Sequence, residues 1–411
     1  MKPPTFGGSR LFDPAFGARA GGAFGLVAPP RASQVLGVDG WQVEVIAGFP
    51  AVIARGGIAA SYEDAFQASL LQAQRGLDLM SMYGANNLVI KGIDEDHLVW
   101  WPEPDGLAIR AVSLAPVSID VPPVRVEVRD AQGNLKVQLP PPPPTWHESF
   151  RYFRLSQTTD DLFDAYRNAY LALESVLSAI APQKLKASGK PDEGEGEWFA
   201  RALAAADNLV SLASFVPSGT PDPLKYLFDD LYVAMRSAMS HAKSGRRILL
   251  PQDEPERRAV SESLGRLISV YSKLAEAQLG ARRTGGGMVA AGFRMIFAGS
   301  LDRQTAWVSD DEAPFDPASP PALDENTMRQ VTALGPAGSP RPFVVSRIWA
   351  TSAESIADLP FVRCAIAFQD AMAASKAVLD GRLELGSASR LEVELGMRGS
   401  NTRLPKSRYS Y

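Results

Sequence analysis

Arg236, Ser237 and His241 are the residues of this chain whose types and spacing could carry out a reaction. They lie in the run Met235-Arg236-Ser237-Ala238-Met239-Ser240-His241-Ala242-Lys243. Histidine titrates near neutrality and can take or return a proton. Arginine is always charged and forks onto two phosphate oxygens. Together they supply what metal-free phosphoryl transfer needs: a base for the attacking hydroxyl and a fixed cation for charge developing on phosphorus. Ser237 stands where it would orient the phosphate or the arginine. Lys243, Arg246 and Arg247 follow and would add sequence-independent attraction for phosphate. On a regular helix, five positions set Arg236 and His241 about 140° apart. They meet only through the length of the arginine side chain, or through two copies of the motif converging in a dimer.

The same residues also have an ordinary structural reading. A histidine near a helix C-terminus is favoured by the macrodipole. On this reading His241 caps carbonyls, and Arg236 pairs with Asp229 or Asp230 on its own helix or with Asp164. Other signals are weaker. Asp94-Glu95-Asp96-His97 reads as a solvated turn rather than a metal site. Trp100-Trp101 and Trp146-His147 read as packing residues rather than base-stacking platforms. Gly285-Gly286-Gly287 lacks the Gly-Lys-Ser/Thr of a phosphate loop. The single cysteine, Cys364, excludes an intramolecular disulfide and a Cys-clustered zinc site. Only three histidines occur, too few for most triads or multi-imidazole metal sites. No metal and no cofactor is expected.

The elements that must position the motif follow from periodicity and punctuation. Residues 1–40, rich in Gly, Ala and Pro, read as an irregular arm. Residues 41–139 read as a β-rich domain with one helix, opened by Ser61 as cap and running to about Tyr83. Five prolines, Pro140 to Pro144, form a stiff spacer within a 140–149 linker. From 150 to 283 the texture changes to apolar residues at spacings of three and four, predicting four helices. The first runs from Phe150 to before Pro182, the second from about Glu197 to Phe215. The third is capped by Asp222 with Pro223 in its first turn and runs to Lys243-Ser244-Gly245. The fourth runs from Pro255 to about Arg282. Residues 285–411 read as a small α/β lobe, with a helix over 362–379 carrying Cys364 and a basic tail at the end. The expected fold class is multidomain α+β: a central antiparallel four-helix bundle between a β-rich N-terminal lobe and a small α/β C-terminal lobe.

An Arg-x4-His motif near the end of the third of four helices, with a polar residue after the arginine, resembles the signature of the HEPN superfamily. The resemblance covers only the central third of the chain. It implies a four-helix HEPN-like domain and a metal-independent ribonuclease acting as a dimer through its helical bundle. In that chemistry His241 takes the proton of a ribose 2′-hydroxyl and Arg236 stabilises the phosphorane, leaving a 2′,3′-cyclic phosphate. A bacterial toxin or phage-defence setting is implied, with RNA as substrate and the outer lobes docking a protein partner. Ser237 departs from the residues commonest at that position, and non-catalytic members exist. The alternative is therefore a structural or accessory protein whose helices mediate dimerisation and partner binding.

Composition bounds both readings. The net charge of −4 argues against a protein that coats nucleic acid, while leaving room for a local basic site. An apolar fraction of 45% with 21% charged residues is that of a globular chain. No apolar run approaches the roughly 20 residues of a membrane span, and the N-terminus lacks the apolar stretch of a secretory signal. A cytoplasmic protein with no membrane contact is expected.

Overall fold

A computed structural model describes residues 3–12, 19–84, 86–91, 96–104, 106–117, 132–133, 145–159, 161–240, 249–250, 254–281, 304–311, 328–336, 344–351, 361–368, 371–377, 379 and 381–399. The chain forms two units. One holds the described residues of 1–119 and 287–404, the other those of 120–286.

The first unit is built on β-strands: β1 (Thr5–Phe6), β2 (Ser9–Arg10), β3 (Ala20–Gly25), β4 (Gln34–Val38), β5 (Trp41–Val45), β6 (Ala51–Gly57), β7 (His97–Glu103) and β8 (Gly106–Val117). From the C-terminal part come β9 (Gln304–Ser309), β10 (Met328–Pro336), β11 (Val344–Thr351), β12 (Arg363–Phe368), β13 (Ala371–Ala377), β14 (Leu383–Glu384) and β15 (Arg390–Gly399). Twelve of these form one mixed sheet in the order β13-β12-β9-β10-β11-β15-β8-β7-β3-β6-β5-β4, and β14-β1-β2 form a smaller one. The two ends of the chain meet where β15 pairs parallel with β8, with Glu392 opposite Arg110. One face of the sheet buries Trp100, Ile109, Phe361, Leu391 and Val393. The other buries Phe24, Val43 and Trp101 beneath helix α1 (Tyr62–Met82). Alternation along β7 and β8 sends successive residues to opposite faces, so both layers of core come from the same strands. Ser61 caps α1 through the backbone N–H of Asp64 (3.2 Å).

The second unit is helical: α2 (Glu148–Thr158), α3 (Leu162–Ile180), α4 (Glu195–Asp207), α5 (Pro223–Leu227), a π-helical segment (Phe228–Arg236), α6 (Ser237–Ser240) and α7 (Glu254–Leu279). The expected central four-helix bundle is overturned, because the fold is α+β dominated by the large sheet. The long first helix is cut about a third of the way along, where Asp161 caps α3 by accepting from Asp164 N at 2.7 Å. The second stops at Asp207, whose carboxylate takes the N–H of Leu212 at 2.7 Å. The third changes hydrogen-bond register into the π segment. The expected outer lobes are corrected too, since β8 and β15 join them in one sheet. The helix expected over 362–379 is the antiparallel pair β12 and β13. Cys364 and Ala365 are both buried, although they are neighbours. A strand buried on both faces loses its period-two signature and reads as a continuous apolar run. The proline run, the triple glycine and the basic tail beyond Gly399 lie outside the described residues.

The packing of α1 depends on Gly76, where a Cβ would stand 2.5 Å from Val43 Cγ1. Gly265, exposed on α7, faces open space. Gly76→Ala should destabilise its unit by about 1–3 kcal/mol through overpacking. Gly265→Ala should stabilise its own by about 0.5–1 kcal/mol through helix entropy. Thermal denaturation of the two variants checks the opposite signs; a shift of both in one direction contradicts this packing.

Candidate functional site

The segment carrying Arg236 is held by groups on three helices. Asp222 starts it by accepting from Lys225 N at 2.9 Å, and Pro223 in the first turn gives up no needed donor. Phe228 and Tyr232, one turn apart, stack at 5.3 Å. Phe199 of α4 stacks on Tyr232 at 5.5 Å and on Tyr170 of α3 at 5.6 Å. The Asp230 carboxylate accepts from Ser263 Oγ (3.0 Å) and Arg266 Nε (2.8 Å) on α7, and Tyr166 Oη donates to the Leu231 carbonyl at 3.2 Å. π-Helical turns are rare and recur at functional sites.

This framework brings Arg236 to a cleft of about 210 Å³, walled also by Tyr166, Arg167, Tyr170, Leu171, Glu174 and Met239. The guanidinium lies 5.3 Å from the Tyr232 ring centroid. Its Nη2 donates to Glu195 at 2.6 Å, with the arginine side chain 25% exposed and the glutamate 50%. Glu195 sits in the first turn of α4, where Glu197 folds back onto Gly194 N at 2.9 Å. Of the carboxylates expected to pair with Arg236, none does: Asp229 holds Lys225, Asp230 holds Arg266, and Asp164 holds Arg167. An exposed pair such as Arg236–Glu195 is worth about 0–1 kcal/mol, so a phosphate can replace the carboxylate at little cost.

Ser237 gives its hydroxyl proton to the Tyr232 carbonyl at 3.0 Å, which commits it to the helix backbone. His241, Lys243, Arg246 and Arg247 lie outside the described residues. Periodicity did not reveal Glu174, Tyr170 and Glu195. Tyr170 and Glu174 share a helix face at i and i+4; the apolar spacing marked Tyr170 only as part of a stripe and left Glu174 unmarked. Glu195 fell in a polar loop.

The cleft is electrostatically tense. Burial pushes the Glu174 carboxyl above its ordinary range, Glu195 adds to the shift, and Arg236 opposes it. Burial likewise raises the Tyr170 hydroxyl, with Glu174 adding and Arg236 opposing, so Tyr170 keeps its proton.

A second polar cluster lies in the sheet unit. His97, read from sequence as part of a solvated turn, is fully buried, with Nε2 2.5 Å from Tyr62 Oη. The Arg110 guanidinium lies 3.9 Å from the Tyr62 ring centroid and holds Glu392 at 2.6 Å. Arg390 bridges Glu392 at 3.1 Å and also pairs with Glu103. These contacts tie β7, β8 and β15 together across the parallel joint, and every group in them is engaged by a neighbour.

For an acid raised in the folded state, stability is lost as pH climbs through its ordinary range and stays lost above the raised value. Glu174→Gln should therefore raise the melting temperature of the helical unit at about pH 7 and confer no advantage below the ordinary glutamate range. Melting curves at neutral and acid pH check this. An advantage confined to acid pH would reverse the assigned sign.

Among the described residues no helix is long and apolar enough to cross a membrane, and no group of three or more His, Cys, Asp or Glu side chains could hold a metal ion. Comparison of the chain with protein-family models, curated proteins and solved structures finds no match.

Proposed function

We propose that the helical unit is a metal-independent endoribonuclease of HEPN-like chemistry, with Arg236 as the phosphate-binding cation and His241 as the base. The supporting observation is the seat of Arg236: a cleft edge, an aromatic support, and one half-exposed carboxylate as its hydrogen-bond partner. In the proposed reaction His241 takes the 2′-hydroxyl proton and O2′ attacks phosphorus. The 5′-oxygen then leaves and collects a proton, giving a 2′,3′-cyclic phosphate and a 5′-hydroxyl end. Arg236 stabilises the negative charge on the equatorial oxygens. Lys243, Arg246 and Arg247 extend the attraction for the RNA backbone, and a homodimer through the helical unit brings two motifs together.

One observation favours a second reading. The carboxylates of Glu174 and Glu195 beside Arg236 suit a cation held for structure, as in a non-catalytic accessory protein that dimerises through its helices and binds a protein partner.

Incubation of the full chain with total RNA in EDTA separates the two. Cleavage leaving cyclic phosphate ends is expected, falling at least a hundredfold in both His241→Ala and Arg236→Ala. Equal cleavage by the parent and both variants, or none by any of the three, would contradict the enzyme reading.

A further inference from the structure

Three polar groups at the cleft have work left to do. Tyr170 is 4% exposed and lines the cleft, and among the described residues its hydroxyl has no hydrogen-bond partner. The Glu174 carboxylate lines the same wall one helical turn further along α3 and feels both Arg236 and Glu195. Arg236 donates to Glu195 through Nη2, which leaves most of its five N–H donors for a ligand. A buried polar group without a partner is unfavourable, and a ligand that supplies the missing bond relieves that cost. Leu171 and Met239 add apolar surface to the wall, and Arg167, paired with Asp164, lies on its rim. At about 210 Å³ the cleft falls below the roughly 300–1,000 Å³ of sites for drug-sized ligands, a size suited to one ring system.

We infer that this cleft receives the base of the nucleotide whose phosphate Arg236 holds, and that Glu174 and Tyr170 select guanine. The inference rests on the reading of Arg236 as a phosphate-binding residue. A carboxylate offers two acceptors side by side and no donor. Guanine is the RNA base whose Watson–Crick edge offers two adjacent donors, N1–H and the N2 amino group, to match it. Adenine and cytosine set an acceptor ring nitrogen beside their single amino group, and uracil flanks its one N–H with two carbonyls. Each of those would turn a lone pair toward Glu174. The remaining group on guanine's edge, O6, accepts, and the Tyr170 hydroxyl is a neutral donor one turn from Glu174 on the same helix face. Single-stranded RNA is read in this way, by splayed bases hydrogen-bonded on their edges against aromatic and apolar walls.

Isothermal titration of the full chain with the four ribonucleoside 3′-monophosphates and with inorganic phosphate tests the assignment. The guanosine nucleotide should bind roughly ten- to a hundredfold more tightly than the other three. Glu174→Gln should bring it to their level while leaving inorganic phosphate binding intact or stronger, and Tyr170→Phe should weaken it severalfold. The melting curve of each variant confirms folding. Equal affinity for the four nucleotides, or a guanosine preference untouched in Glu174→Gln, overturns the guanine site. RNA cleavage without preference for guanosine overturns the guanine site and leaves the nuclease standing. Guanosine-selective binding that depends on Glu174, with no RNA cleavage, overturns the nuclease and leaves the site. Absence of binding by every nucleotide and by phosphate overturns both.

Discussion

The anchoring of Asp230 by Arg266 and Ser263 is the constraint on which the candidate site depends. The π register widens the turn between Phe228 and Arg236, and a helix does not adopt it without outside support. Asp230 supplies that support from one side, because its carboxylate is tied to α7. Tyr166, whose hydroxyl lies 3.4 Å from the same Ser263 Oγ, adds to it through the Leu231 carbonyl. The side chains of Asp230 and Arg266 are 14% and 19% exposed, so the pair is partly desolvated, and breaking it would leave an uncompensated charge. Tyr166 both holds the π segment and lines the cleft. The support of Arg236 and the wall of the site are thus one structure, and the aromatic stack through Phe199 carries the same geometry to α4.

Glu195 gives the site its polarity. It lies in the first turn of α4, where the helix dipole favours a negative charge, and it holds the Arg236 guanidinium from the solvent side. Glu174 lies deeper and bears the cost of desolvation. The arginine therefore holds a half-exposed carboxylate directly and feels the charge of a more buried one.

Much of the local structure was legible in the sequence, and much of the assembly was not. Ser61 announced α1 and Asp222 with Pro223 announced the start of α5, because caps act within a turn. The Arg236–Glu195 pair spans 41 positions, and periodicity carries no information over that distance. The change into π register left no apolar signature, since Leu231 and Met235 suit either winding. Asp161, which starts α3, and Asp207, which takes the Leu212 N–H, interrupt helices that the apolar spacing would have continued. The helix expected over β12 and β13 was misread because a doubly buried strand, as at Arg363, Cys364 and Ala365 of β12, and a buried helix share an apolar run. The joining of β8 to β15, 282 positions apart at Arg110 and Glu392, was invisible until the two complementary charges were seen opposite each other.

The most direct test of the central claim is a crystal structure of the full chain with a short RNA carrying 2′-deoxy sugars, which cannot be cleaved through O2′. The account predicts a backbone phosphate on the Arg236 guanidinium with Glu195 turned away. A backbone bound elsewhere, with Arg236 still paired to Glu195, would contradict it.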